Sequence, residues 1–179
     1  MQIYTSQQPT YDPVAVQPMR DELIAVGFEE MTTPQDVDSG LQDHQGQTVL
    51  VMINSVCGCS AASARPGVTQ ALQHHLIPDQ LKTVFAGQEK AAVSHLRQTY
   101  LSEYPPSSPC IALFRDGELL YILQRKDIEG RRPEEIAGQL ISIFDRECEH
   151  AGPSISAEKY ATLKRAVACG SKIPKFNDN

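Results

Sequence analysis

Thr48-Val-Leu-Val-Met-Ile53 is the segment that most narrows the choice of fold. Its six residues are strand-competent and apolar after the threonine. They lack the alternation of a half-solvated strand and read as a strand covered on both faces. Covering both faces takes helices on each side, which means an α/β sheet. The flanking sequence supplies them. Cys57-Gly58-Cys59 comes directly after the strand, and an alanine-rich helical stretch continues to about His75. Val84-Phe-Ala-Gly87 ends a second short strand. Glu89 to Tyr104 reads as a helix, with Ala92, Val93, Leu96 and Tyr100 near helical spacing. Tyr104-Pro-Pro-Ser-Ser-Pro109 stops it.

Two further runs, Cys110 to Phe114 and Glu118 to Leu123, flank Arg115-Asp116-Gly117, and Asp-Gly between apolar runs signals a hairpin. Arg132-Pro133 precedes a helix with Ile136, Leu140, Ile141 and Phe144 facing inward. Upstream, Asp12-Pro13 opens a helix that Gly27 ends, and Thr33-Pro34 with Asp36 opens a shorter one through Leu41. The order α-α-β-α-β-α-β-β-α predicts a parallel βαβ unit joined to an antiparallel hairpin. Residues 1–150 are expected to form one α/β domain with extra N-terminal helices, and residues 151–179 a C-terminal helical extension. In that extension Ser154 or Ser156 caps a helix that Gly170 stops, with Tyr160, Leu163 and Val167 on one apolar face. A lone helix this short is marginal in water. It is expected to dock on its own domain or on a second copy, which makes a homodimer a candidate assembly. Cys169 is then a packing residue, the alternative being a resolving thiol over Cys57.

Composition excludes several function classes. With 179 residues, 41% hydrophobic and 21% charged, the chain is globular rather than disordered. A net charge of −6 without a basic run makes it a poor partner for nucleic acid or anionic lipid. No stretch approaches the ~18 apolar residues of a membrane span. Met1 to Pro13 is polar, without the basic and apolar parts of a secretory leader, so a cytoplasmic location is expected. Five cysteines, an odd number, do not make a disulfide scaffold.

The chemistry is expected at the junction of strand, Cys57-Gly58-Cys59 and helix. A cysteine there meets unpaired backbone N–H groups and the positive end of the helix dipole, so its thiol is expected to ionise below the free value of ~8.5. From Gly46 to Ala64 no side chain is charged, and Arg65 is the nearest cation along the chain. Gly58 lets sulfurs at i and i+2 approach each other, and a disulfide so short in sequence is expected to be strained and oxidising. Pro109 lies ahead of the third strand, between a helix and the hairpin; the resemblance of this arrangement to thioredoxin-like folds implies a cis proline there, facing Cys57.

These features resemble the bacilliredoxin family, small thioredoxin-like proteins with a Cys-Gly-Cys site. The resemblance runs from about Pro18 to Cys148. It rests on Gly27-Phe-Glu-Glu, Asn54-Ser-Val-Cys-Gly-Cys59, Ala64-Arg-Pro66, Val84-Phe-Ala-Gly-Gln88, Pro106-Ser-Ser-Pro109, Ile128-Glu-Gly130 and Phe144-Asp145. It implies a mixed four-stranded thioredoxin-like sheet flanked by helices. It also implies an oxidoreductase that removes bacillithiol, a low-molecular-weight thiol, from protein mixed disulfides. On that mapping Cys57 attacks, Cys59 is the second cysteine of the motif, and Cys148 matches a C-terminal cysteine that could resolve. Gly58 and Pro109 shape the site. The implied partners are S-thiolated client proteins and the thiol as co-substrate, with no bound cofactor and no metal. Two features depart from the family pattern: Cys110 stands where serine is usual, and the chain continues beyond Cys148.

Bland readings stand beside these. Cys110 reads as a small buried hydrophobe. His74-His75 reads as a solvated helix end, and Arg125-Lys126 and Arg131-Arg132 as solvated charges, the alternative for these being recognition of an anionic thiol. A weak disulfide isomerase or oxidase is a second function. A non-enzymatic Cys-x-Cys binder of Cu(I) or zinc is a third, suited to thiolates but without further ligands at ligand spacing.

Overall fold

Asp12 caps the first helix, α1 (Pro13–Ile24), accepting a hydrogen bond from Val14 N at 2.8 Å. The computed structural model describes residues 7–176, so the first six residues of the polar start lie outside it. After the two-residue strand β1 (Glu29–Glu30) comes α2 (Pro34–Gln42). Its capping box is complete: Thr33 accepts from Asp36 N, and the Asp36 carboxylate accepts from Thr33 N.

β2 (Thr48–Asn54) follows, then a helical run whose residues Ser60–Ala64 are π-helical and whose remainder is α3 (Arg65–Ala71). Next are β3 (Leu76–Ile77), β4 (Gln80–Phe85), α4 (Lys90–Thr99), β5 (Cys110–Arg115) and β6 (Glu118–Leu123). The chain continues through α5 (Arg125–Ile128), α6 (Pro133–Glu147), β7 (His150–Ala151) and α7 (Ala157–Ala161).

The main sheet runs β1-β4-β2-β5-β6. β4 lies parallel to β2, and β5 antiparallel to it, pairing in turn with β6 across the Asp116-Gly117 turn. Both turn residues have positive φ, 52° and 77°, as a tight hairpin requires. The four expected strands are present in a mixed sheet consistent with a thioredoxin-like fold. β1 adds an edge beside β4 that two acidic residues do not advertise.

Every residue of β2 is buried. Side chains alternate across the pleat. Leu50 and Met52 pack with Val68, Ile136, Leu140 and Phe144 beneath α3 and α6. Val49, Val51 and Ile53 pack with Val37, Leu41, Val93 and Leu96 beneath α2 and α4. The apolar run thus has helices on both faces. α3 and α6 approach closely at Gly67, where a Cβ would stand 2.7 Å from Ile136 Cβ.

The C-terminal segment corrects the expected helical extension. Its helix starts as expected, with Ser156 accepting from Lys159 N, but α7 ends at Ala161. Val167, placed on the apolar face of the expected helix, is 81% exposed. The reason lies in tertiary hydrogen bonding. Ala166 N donates to Glu22 Oε2 at 3.0 Å, and Ala166 O accepts from Arg65 Nη2 at 2.7 Å, so groups a helix would use internally are taken by buried charges. The segment still docks on its own domain. Ala166 and Ile173 join Val16, Met19, Val56 and Phe85 in a small core. Farther on, Asp12 N donates to Pro174 O and Phe176 N to Thr10 O. Among the described residues, no helix is long and apolar enough to cross a membrane.

Candidate active site

β2 delivers its last residue, Asn54, to the mouth of the sheet, and the chain then turns through Ser55 and Val56 into the Cys-Gly-Cys motif. Cys57 and Cys59 are partly exposed. The Cys57 sulfur accepts a hydrogen bond from Ser60 N at 3.3 Å, while Cys57 N donates to Ser55 Oγ at 3.2 Å. The Ser60 N–H at the start of the helical run is thus shared between the Cys57 sulfur and Cys57 O, the latter at 3.1 Å. Cys59 hydrogen-bonds with Cys57. Burial first, then that bond and the charge of Cys57, push its thiol up to about 11.

Ser108–Pro109 is cis, as expected, and Pro109 is buried. Cys110 pairs with Ile53 across β2 and β5, so Pro109 stands level with the end of β2 that leads into the motif. Cys110 itself points into the α2/α4 core, 2% exposed, and burial pushes its thiol up to about 12. It is a core residue.

Cys148 is not brought to the motif. It ends α6 in the core beneath α3 and α6, hydrogen-bonded with Thr48, with burial pushing its thiol up to about 11. Thr48 begins β2 and the motif follows its end, and seven strand residues span roughly 20 Å. Cys148 therefore sits at the wrong end of the sheet to resolve a Cys57 adduct within the same fold. The sequence alone could not reveal this, because the α6 register decides it.

The sequence reading missed the polar floor of the site. Arg65 is wholly buried, and its guanidinium donates to five acceptors: Glu22 Oε2, Asn54 Oδ1, Ser55 O, Ser60 Oγ and Ala166 O, all at 2.7–3.2 Å. Burial lowers its pKa, opposed by Glu22 and by the charge of Cys57. Glu22, 2% exposed, is the counter-charge, and it also accepts from Arg165 Nη1 at 3.1 Å. Arg65 thus holds the Ser55 carbonyl and the Ser60 hydroxyl, on either side of Cys57. The signal was its position, the first cation after an uncharged stretch, but Glu22 lies 43 residues away and carried none.

Arg125, half exposed on α5, lies close enough for its charge to act on both motif thiols. Cys169 also lies at the motif. A Cβ built on Gly58 would have the Cys169 sulfur 3.8 Å away. A separate cluster, His74, His75 and Asp145, gathers three ligand-type atoms within 4.8 Å of one another at the far end of the helical run. There His74 Nε2 already meets Asp145 Oδ1 at 2.6 Å.

A family model described as disulphide isomerase matches residues 11–148. A bacilliredoxin of Salinibacter ruber is 42% identical over 166 residues, covering 93% of this chain and 96% of that protein. The bacilliredoxin of Halalkalibacterium halodurans is 47% identical over 134 residues, covering 75% and 92%. One from Geobacillus kaustophilus is 44% identical over 147 residues, covering 82% and 99%. This chain belongs to the bacilliredoxin family. Its activity is accordingly of the thiol–disulfide oxidoreductase kind. Within the family framework the motif, the cis proline and the charged floor all fall at one end of the main sheet.

Proposed function

We propose that this bacilliredoxin-family chain removes a low-molecular-weight thiol, bacillithiol or one like it, from protein mixed disulfides. The observation that carries the reading is the Cys57 sulfur held at a helix start by Ser60 N–H, beside Cys59 and level with the cis Pro109. Cys57 thiolate attacks the sulfur of the small thiol. The S–S bond to the client breaks, the client leaves as a thiolate that takes a proton from water, and Cys57 becomes the mixed disulfide. Cys59, or a second molecule of the small thiol, then attacks Cys57 and frees the bound thiol. The exposed guanidinium of Arg125 offers an anionic thiol a charge partner at the motif. The clients are S-thiolated proteins, no bound cofactor takes part, and the setting is a reducing one such as the cytoplasm.

The test is removal of bacillithiol from a model S-bacillithiolated protein, followed by release of the client thiol. Cys57→Ser abolishes it. A Cys57→Ser variant that keeps wild-type turnover overturns the reading. Stoichiometric metal on protein purified under reducing conditions would favour the soft-metal binder instead.

A further inference from the structure

Cys169 belongs to a segment with no part in the reaction above, yet the fold holds that segment against the motif. Gly170 N donates to Val56 O at 2.7 Å. The peptide group joining Cys169 to Gly170 therefore faces the one joining Val56 to Cys57. That hydrogen bond anchors the tail residue next to Cys169 on the residue next to Cys57. Independently, the Cys169 sulfur lies 3.8 Å from where a Gly58 Cβ would be, directly over the middle residue of the motif. Cys57, Cys59 and Cys169 are all partly exposed.

The approach is built in. Arg65 donates to Ser55 O and Ser60 Oγ on the Cys57 side and to Ala166 O on the Cys169 side, so one buried guanidinium sets both. Ala166 N and the Arg165 guanidinium both donate to Glu22.

From this arrangement we infer that Cys169 is a resolving thiol for the Cys57 adduct, forming a Cys57–Cys169 disulfide in parallel with Cys59. The inference rests on the proposed attack by Cys57. Cys169 thiolate attacks the Cys57 sulfur of the mixed disulfide. The bond between Cys57 and the small thiol breaks, the Cys57–Cys169 bond forms, and the small thiol leaves as a thiolate that takes up a proton. Two low-molecular-weight thiols then supply the two electrons that reopen the disulfide and depart as their symmetrical disulfide. Cys59, with its thiol pushed up to about 11 largely by burial, is a slow nucleophile near neutral pH. A second resolver relieves that limit.

The experiment uses the full chain as Cys59→Ser and as Cys59→Ser/Cys169→Ser. Each is reduced, exposed to one equivalent of bacillithiol disulfide or, separately, glutathione disulfide, then acid-quenched and mapped by peptide mass. In Cys59→Ser the adduct decays, and a peptide pair joined through Cys57 and Cys169 appears. In the double variant the adduct stays on Cys57. An adduct in Cys59→Ser as long-lived as in the double variant, with Cys169 still alkylatable, overturns the inference. The glutathione arm decides the role of Cys169 whichever thiol is natural. An adduct from glutathione and none from bacillithiol would count against the bacillithiol reading alone.

Discussion

The Glu22 carboxylate meets the Arg65 guanidinium at 3.0 Å, with at most 1% of either side chain exposed. Desolvating two charges is costly, and the cost is recovered only when the remaining donors and acceptors are satisfied, as they are here. Glu22→Ala leaves Arg65 buried without its counter-charge, a change that costs ~3–5 kcal/mol in such settings. For a chain of this size that lowers Tm by on the order of 10 °C. It also frees the segment around Ala166, which loses its hydrogen bond to Glu22. Thermal unfolding and limited proteolysis near Arg165 check both effects. A variant with unchanged Tm and a protease-resistant C-terminal segment would show that the pair does not hold the tail.

The thiols are expected to separate by pH. Cys59 and Cys148 stand at about 11 and Cys110 at about 12, all raised chiefly by burial. A raised thiol pKa means that the reactive thiolate is scarce below that value and grows as pH rises towards it. Iodoacetamide at pH 7.5 therefore alkylates Cys57 before Cys59 and leaves Cys110 and Cys148 intact. Moving towards pH 11 brings Cys59 in. Labelling of Cys148 as fast as Cys57 at pH 7.5 would contradict the burial argument.

Gly67 tests the packing of α3 on α6. Alanine there gains ~1 kcal/mol of helix propensity. Its Cβ, however, would stand 2.7 Å from Ile136 Cβ and 3.1 Å from Pro133 O, neither a flexible end. Overpacking of that kind costs typically ~1–3 kcal/mol, so the balance is a loss, on the order of 1 kcal/mol. Chemical denaturation gives the sign directly. A stabilised Gly67→Ala would mean that the two helices separate more easily than the packing implies.

Much of the sheet was legible because its signals are local. The uninterrupted apolar run of β2, the Asp-Gly turn and the Thr33/Asp36 capping box each act within a few residues. The placement of Cys57, Cys59 and Pro109 at element junctions was legible for the same reason. What the sequence hid depends on distant partners. Glu22 and Arg65 pair across 43 positions, and Ala166 is drawn out of a helix by groups more than 100 positions away. The expected apolar face of Tyr160, Leu163 and Val167 lost to those hydrogen bonds. Cys148 and Cys169 exchange their expected places because register and tail path, not spacing, decide which cysteine reaches the motif.

In the proposed reaction Cys57 takes the small thiol from a client. The most direct measurement is intact mass of the Cys59→Ser/Cys169→Ser chain after one turnover with an S-bacillithiolated protein. One bacillithiol is expected on the chain, mapped to Cys57, in step with an equivalent of freed client thiol. Client thiol released with no adduct on Cys57, or an adduct mapped to Cys110 or Cys148, would contradict it.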